Sequence, residues 1–201
     1  MKKILQHASH ISHYPSLSAP CGWIEVICGS MFSGKTQELI RRLRLAQIAK
    51  QKVQVFNSAL DTRYGQNHIV SHDQAKIPCQ PLESIRELLG KVKADTRVIG
   101  IDEVHFFSPA SSVMKVCESL ADQGRRVIVA GLDQDYRGQP FEITAKLMAI
   151  AEFVTKNLAI CVRCGSPANR SQRLTPTRKR ISVGAKDKYE ARCRRCFQHK
   201  I

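Results

Sequence analysis

The sequence predicts an α/β fold, in which a mostly parallel sheet carries helices on both faces, followed by a small separate domain. Three observations support this prediction. Apolar runs typical of buried strands alternate with amphipathic segments at helical spacing. The first of these runs leads through a glycine-containing turn directly into an amphipathic segment. The last part of the chain, 161–201, instead contains two closely spaced cysteine pairs. We therefore expect a disordered leader over 1–21, an α/β domain over 22–160 and a cysteine-containing domain over 161–201.

Each element of the α/β domain follows from a local pattern. Apolar, β-branched runs predict strands, and apolar residues at helical spacing predict helices, with a helix start at Ser108-Pro109 and a helix stop at Gly124. The predicted strands are 23–28, 53–57, 97–101, 126–133 and 154–160. The predicted helices are 38–49, 81–92 and 108–123. Between them, the polar segment 58–74 is long enough to indicate a functional or mobile loop.

Composition and charge limit the possible functions. The chain has 201 residues and a net charge of +15, and 161–201 contributes +10 of it, from 12 Lys and Arg against 2 acidic residues. Such a basic chain is typical of proteins whose partners carry phosphate, either nucleic acid or a polyphosphate substrate.

No apolar run reaches the roughly 18 residues of a membrane span. Polar residues interrupt the N-terminus before a signal peptide can form, so we expect a cytoplasmic protein whose cysteines are reduced.

The segment 29–36 reads Gly-Ser-Met-Phe-Ser-Gly-Lys-Thr and predicts a phosphate-binding P-loop between a strand and a helix. In such a loop, successive backbone N–H groups surround the phosphates at a helix N-terminus. Lys35 would reach the β- and γ-phosphates of the nucleotide, and the hydroxyl of Thr36 would bind a magnesium ion. The alternative is an ordinary glycine-rich turn that binds nothing.

Asp102 and Glu103 follow the apolar run 98–101 and are similar to a Walker B element. Ligands of parallel sheets gather at the carboxyl ends of the strands, so these side chains should lie beside the P-loop. We expect Asp102 to hold magnesium and Glu103 to act as the base that accepts a proton from the nucleophile. The alternative is an acidic pair that faces solvent.

The two cysteine pairs, Cys161–Cys164 and Cys193–Cys196, are separated by 28 residues. Four thiolates in two such pairs are typical of a closed tetrahedral zinc site with a structural role. Zinc would join both ends of the polar segment between the pairs. The other four cysteines have no partner at metal-binding spacing and are expected to be thiols without a role.

Together these motifs resemble one family, the zinc-containing thymidine kinases of the cellular and bacterial type. The resemblance covers roughly 22–197. Besides the P-loop, the acidic pair and both cysteine pairs, the motifs that support it are Asp61-Thr62-Arg63-Tyr64, Phe106-Phe107, Gly131-Leu132-Asp133, Pro140-Phe141 and 187–193.

The resemblance implies ATP-dependent phosphorylation of the thymidine 5′-hydroxyl to give dTMP, with Glu103 as the base. A zinc-tethered lasso loop would close over the nucleoside. The residues implied near ATP are Gly29, Ser30, Met31, Phe32, Ser33, Gly34, Lys35, Thr36, Asp61, Arg63, Asp102 and His105. Those implied around thymidine are Met31, Phe106, Leu132, Tyr136, Phe141, Ile181, Ser182, Val183, Gly184 and Tyr189. A homotetramer and feedback inhibition by dTTP are also implied.

The chain departs from the family pattern at four positions. Ser30 replaces a usual Pro, His105 a usual Gln, Tyr136 a frequent Phe, and Ala185 a frequent second Gly of the lasso. The main competing hypothesis is a P-loop ATPase that grips nucleic acid through its basic zinc domain. A chain of this length has room for only one nucleotide-binding core, whereas helicases need two, and this argues against that hypothesis.

Overall fold

The computed structural model describes residues 21–61, 67–70, 75–176 and 188–198. Almost all of the predicted leader therefore lies outside the described residues, as do Arg63, Ala185 and the lasso positions 181–184. The described strands are β1 Trp23–Gly29, β2 Val53–Ser58, β3 His68–Val70, β4 Lys76–Pro78, β5 Gln80–Leu82, β6 Val98–Asp102, β7 Arg126–Leu132, β8 Phe153–Asn157, β9 Ala159–Ile160, β10 Pro167–Ala168, β11 Arg170–Arg173 and β12 Tyr189–Arg192. The helices are α1 Lys35–Ile48, α2 Glu87–Lys91, α3 Ala110–Asp122 and α4 Glu142–Ile150, with a 3-10 turn at Val104–Phe106.

Six strands form one sheet in the order β5-β2-β6-β7-β1-β8, and every neighbouring pair is parallel. β7 lies between β1, which leads into the P-loop, and β6, which ends at Asp102. Because all strands run in one direction, their carboxyl ends meet at one edge of the sheet. The P-loop and the acidic pair therefore share this edge.

Two apolar clusters cover the faces of the sheet. On one face α1 packs Leu39, Ile40 and Leu43 against residues of β1, β2, β6 and β7. On the other face α3 and α4 pack side chains such as Leu120 and Leu147 against the same strands. The predicted α/β fold with helices on both faces is therefore confirmed. Among the described residues, no helix is long and apolar enough to cross a membrane.

The predicted helix over 81–92 is wrong at its beginning. Residues 80–82 instead form β5, which pairs with β2, and Leu82 is fully buried there. The backbone N–H of Ser84 donates to the carboxylate of Glu87, 2.9 Å away, in the manner of a capping box. The helix α2 begins only at Glu87. Burial at the sheet edge thus overrides the helical spacing of the apolar residues.

Two other predicted boundaries also move. Pro109 lies at the N-cap of α3, because its carbonyl accepts the first helical hydrogen bonds, from the N–H groups of Ser112 and Val113. The predicted strand 154–160 divides into two strands, β8 and β9. β8 belongs to the main sheet. β9 pairs antiparallel with β10 instead, because the chain turns back at the first cysteine pair. The helix α4 and the hairpin of β3 and β4 were not predicted.

We call residues 159–176 and 188–198 the cysteine module. It contains two small antiparallel sheets, β9 with β10 and β11 with β12. Its buried apolar cluster contains only small side chains, those of Ala159, Cys161, Ala168, Ala191 and Cys193. Phe32 of the P-loop packs against this cluster. The module therefore lies directly against the P-loop.

Candidate active site

The P-loop has the backbone conformation that its glycines permit. Gly29 has φ 144° and Gly34 has φ 78°, values that side-chain-bearing residues rarely adopt. A Cβ at Gly29 would lie 2.3 Å from the carbonyl oxygen of Asn157, so the close approach of β8 also requires glycine there. Phe32 adopts φ 65° without being glycine, which is a strained conformation. The conformation of the P-loop thus depends on glycine at positions 29 and 34.

Two polar groups of the loop fit an anion. The ammonium of Lys35 donates to the carbonyl of Ser30, 2.8 Å away, and so lies within the loop. The hydroxyl of Ser33 is buried, and it has no hydrogen-bond partner among the residues that the structure describes. Buried polar groups are normally paired, and a phosphate oxygen is a natural acceptor for this hydroxyl. The geometry therefore supports phosphate binding at the helix N-terminus of α1.

Thr36 and Asp102 meet across the sheet edge. The hydroxyl of Thr36 donates to Oδ2 of Asp102 at 2.9 Å, although the two residues belong to different elements. Oδ1 of the same carboxylate accepts the backbone N–H of Glu103, also at 2.9 Å. A hydroxyl beside a fixed carboxylate is the oxygen donor set that magnesium uses in P-loop proteins. These two residues fit the ion that the sequence predicted for them.

Glu103 turns the chain sharply at the end of β6. Its φ of 49° and ψ of 39° are left-handed, and its carboxylate is largely buried. One carboxylate oxygen, Oε2, lies 3.5 Å from Nε2 of His105. Because non-glycine residues seldom adopt this conformation, its presence directly after Asp102 indicates a functional turn.

His105 is one of the least exposed side chains at the site, at 1%. Its Nδ1 accepts the backbone N–H of Leu132 at 3.1 Å. The ring lies between two aromatic side chains, with centroids 4.3 Å from Phe106 and 4.9 Å from Phe141. Three residues implied around the nucleoside, Phe106, Leu132 and Phe141, thus converge on His105.

The remaining aromatic residues implied around the nucleoside meet at Arg173. The guanidinium lies 3.6 Å from the centroid of the Tyr136 ring, and its Nε and Nη2 donate to the hydroxyl of Tyr189 at 3.0 and 2.6 Å. Arg173 itself is only 1% exposed. A cation over an aromatic ring is stabilising, more so when water is excluded. Arg173 therefore links Tyr136, which follows β7, to Tyr189 of the cysteine module.

The four cysteines of the two pairs come together as predicted. The Sγ atoms of Cys161, Cys164, Cys193 and Cys196 all lie within 4.8 Å of one another. Burial opposes ionisation of Cys161, but hydrogen bonds from the backbone N–H groups of Cys193, Arg163 and Cys164 outweigh it and lower the pKa of Cys161 to about 6. Four sulfurs clustered at this distance from one another fit a structural zinc ion.

A hydrogen bond joins the cysteine module to the P-loop. The backbone N–H of Met31 donates to Oγ of Ser171 at 3.0 Å, across 140 residues of sequence. Ser30 makes a longer contact with the module, from its hydroxyl to the carbonyl of Ala168 at 3.4 Å. The position of the P-loop is therefore coupled to the fold of the module.

Asp61 lies near the acidic end of β6. It is buried, and the side-chain amide of Asn57 donates to its carboxylate at 3.4 Å. Burial and the charges of Asp102 and Asp61 together raise the pKa of the nearby Cys79 thiol to about 11. Cys79 is thus a neutral thiol near Asp61 and Asp102.

Comparison with known proteins shows the family of the chain. The family model described as thymidine kinase matches residues 22–197. The chain belongs to the thymidine kinase family. A thymidine kinase from Rhodothermus sp. (strain ITI 518) is 56% identical over 178 residues, which cover 88% of this chain and 82% of the relative. The resemblance inferred from the motifs is confirmed, and the activity is that of a thymidine kinase, an ATP-dependent phosphotransferase.

Two residues at the site, Ser171 and Arg173, were not predicted from the sequence. Ser171 and Arg173 lie in β11, where consecutive residues are buried on both sides, so no alternating pattern distinguishes them. Gly131 leaves space for the 3-10 turn, because a Cβ there would lie 2.8 Å from Val104. The sequence motif Gly131-Leu132-Asp133 includes this glycine but does not state its packing role, although a glycine at the end of an apolar strand often marks a close approach. The two β11 residues carry no such signal.

Proposed function

We propose that this thymidine kinase transfers the γ-phosphoryl group of ATP to the 5′-hydroxyl of thymidine, with Glu103 as the base. The observation that carries the proposal is the turn at Glu103. This turn holds the largely buried carboxylate of Glu103 at the end of β6, directly after Asp102. The carboxylate of Asp102 in turn contacts Thr36 of the P-loop. The base and the phosphate site are therefore adjacent.

The P-loop residues position the donor. Backbone N–H groups of the P-loop, the ammonium of Lys35 and the buried hydroxyl of Ser33 surround the phosphates, whereas the N–H of Met31 donates to Ser171. The ammonium would exchange the carbonyl of Ser30 for a phosphate oxygen. Thr36 and Asp102 would hold magnesium, which when bound neutralises charge on the phosphates. Asp61 and Arg63 complete the residues that we assign to ATP.

The acceptor hydroxyl loses its proton to Glu103 as its oxygen attacks the γ-phosphorus, and the bond from that phosphorus to the leaving ADP oxygen breaks. In phosphoryl transfer the protein mainly positions groups and stabilises charge, and a base completes the proton transfer. Met31, Phe106, Leu132, Tyr136 and Phe141 form the apolar surroundings of the sugar and base. Tyr189 and the lasso positions 181–184 close over the thymine.

Several further properties follow from membership of the family. We propose a homotetramer, feedback inhibition by dTTP, a cytoplasmic location and a role in supplying dTMP for DNA synthesis. Zinc has a structural role in this proposal, and none of the proposed steps requires nucleic acid.

Substitution of Glu103 by Gln tests the assignment of the base. The amide keeps the size of the side chain but cannot accept the proton, so we expect kcat to fall by about 100-fold or more while ATP binding is retained. Glu118→Gln, at an exposed position on α3, is the matched control. Turnover near that of the control would disprove the role of Glu103.

A further inference from the structure

His105 is held in place from several directions. It lies in the short 3-10 turn that follows Glu103, and the backbone N–H of Phe106 closes this turn by donating to the carbonyl of Glu103 at 3.0 Å. Phe106 and Phe141 pack on its ring. Because Gly131 has no side chain, Nδ1 of the imidazole can approach the end of β7 closely; a Cβ at Gly131 would be 3.4 Å from it. The ring therefore has a defined orientation.

The hydrogen bond from β7 determines which ring nitrogen carries hydrogen. Nδ1 accepts the N–H of Leu132, so in the neutral imidazole the hydrogen is on Nε2. Nε2 faces Oε2 of Glu103 at 3.5 Å. This separation is longer than a normal hydrogen bond, but bonds between catalytic groups and their partners commonly shorten when the reactants are bound.

We propose that His105 is a positioning residue for Glu103: its Nε2–H donates to Oε2 and orients the carboxylate so that Oε1 accepts the proton of the thymidine 5′-hydroxyl. This inference rests on the proposed role of Glu103 as the base. The backbone of β7 thereby fixes the imidazole, and the imidazole fixes the base. His105 keeps its own hydrogen throughout the reaction and acts on the site through Glu103, not through the nucleotide contact that the family resemblance implies.

Two substitutions separate the contact of His105 with Leu132 from its contact with Glu103. In His105→Asn, the side-chain oxygen can take the position of Nδ1 and still accept from Leu132, but residue 105 no longer presents a donor to Glu103. In His105→Gln, the longer amide can donate to Glu103, but the acceptor for the Leu132 N–H is lost. The first variant thus removes the positioning contact and keeps the structural one, and the second does the reverse.

The two variants are compared by kcat, by KM for ATP and thymidine, and by melting temperature. We expect His105→Asn to lower kcat by about 10-fold to 100-fold, the range for misplacing a catalytic group, with little change in either KM. His105→Gln should retain the greater kcat in spite of a lower melting temperature. A merely structural role predicts the opposite order, with activity following stability, and that order would overturn the inference. A raised KM at unchanged kcat would also overturn it, because it would indicate direct contact with a substrate.

The Glu103→Gln background distinguishes failure of this inference from failure of the proposed function. If His105 acts through Glu103, adding His105→Asn to Glu103→Gln should leave the residual kcat unchanged. A further loss of the same size in that background would overturn the positioning role while the base assignment stands. Normal turnover of Glu103→Gln alone would overturn both, since there would be no base to orient.

Discussion

Substitution of Cys164 by Ser tests whether zinc holds the cysteine module and, through it, the substrate site. The module buries five small side chains, which at about 0.8 kcal/mol per buried carbon contribute about 4 kcal/mol. Structural zinc contributes about 10–16 kcal/mol in small zinc-binding peptides. Metal binding would therefore stabilise the module more than its apolar cluster does, and loss of one of four thiolates should release the ion and loosen the module.

The effect on the active site can be estimated from the contacts that cross to the module. These are the hydrogen bond from Met31 to Ser171 and the contact of Arg173 with the ring of Tyr136. At about 1 kcal/mol each they sum to about 2 kcal/mol, which corresponds to about a 30-fold rise in KM for thymidine. The main sheet should remain folded, because its two apolar clusters contain no residue of the module.

The assay combines zinc content by mass spectrometry, KM for thymidine and thermal unfolding. We expect Cys164→Ser to lose zinc and raise KM, while the main unfolding transition moves by less than about 5 °C. Cys21→Ser makes the same chemical change at an exposed cysteine outside the cluster and should match the unsubstituted protein. A Cys164→Ser protein that keeps its zinc and its affinity for thymidine would refute the reasoning, as would loss of the main transition.

Two further predictions concern stability. Gly100→Ala would place a Cβ 2.7 Å from Leu43 of α1, so we expect about 1–3 kcal/mol of destabilisation in urea unfolding, and an unchanged value would show that α1 is not tightly packed there. Hydrogen bonds from Arg41, partly opposed by burial, lower the pKa of Glu38 to about 2. A carboxyl whose folded-state pKa is depressed stabilises the fold above its unfolded value near 4.5 and loses this contribution as pH falls towards 2. Glu38→Gln should therefore reduce the loss of stability between about pH 4.5 and pH 2, and an unchanged pH–stability profile would contradict the prediction.

The parts of the fold that could be predicted from sequence are those that local patterns determine. β1, β6 and β7 are buried over almost their whole length, and their largely apolar runs predict strands. The start of α2 was not, because pairing with β2 decides that residues 80–82 form a strand. Such pairing depends on neighbours distant in sequence, which a local pattern does not contain.

In the candidate site, too, local motifs could be predicted from the sequence and contacts between distant residues could not. Residues 29–36 and the acidic pair at 102–103 belong to short motifs whose spacing reflects their chemistry, and the structure brings Thr36 and Asp102 within 2.9 Å as expected. Ser171 meets the P-loop only because the cysteine module folds back across 140 residues. The relation of His105 to Glu103 depends on a left-handed turn and on the end of β7, neither of which the sequence reveals.

The measurement that most directly tests the central claim is ATP consumption by the zinc-replete protein with thymidine, deoxycytidine, deoxyguanosine or single-stranded DNA offered separately. We expect stoichiometric conversion of ATP and thymidine to ADP and dTMP, with no effect of DNA. A protein that instead hydrolyses ATP only when DNA is present, in a salt-sensitive manner and without a nucleotide product, would contradict the proposed function.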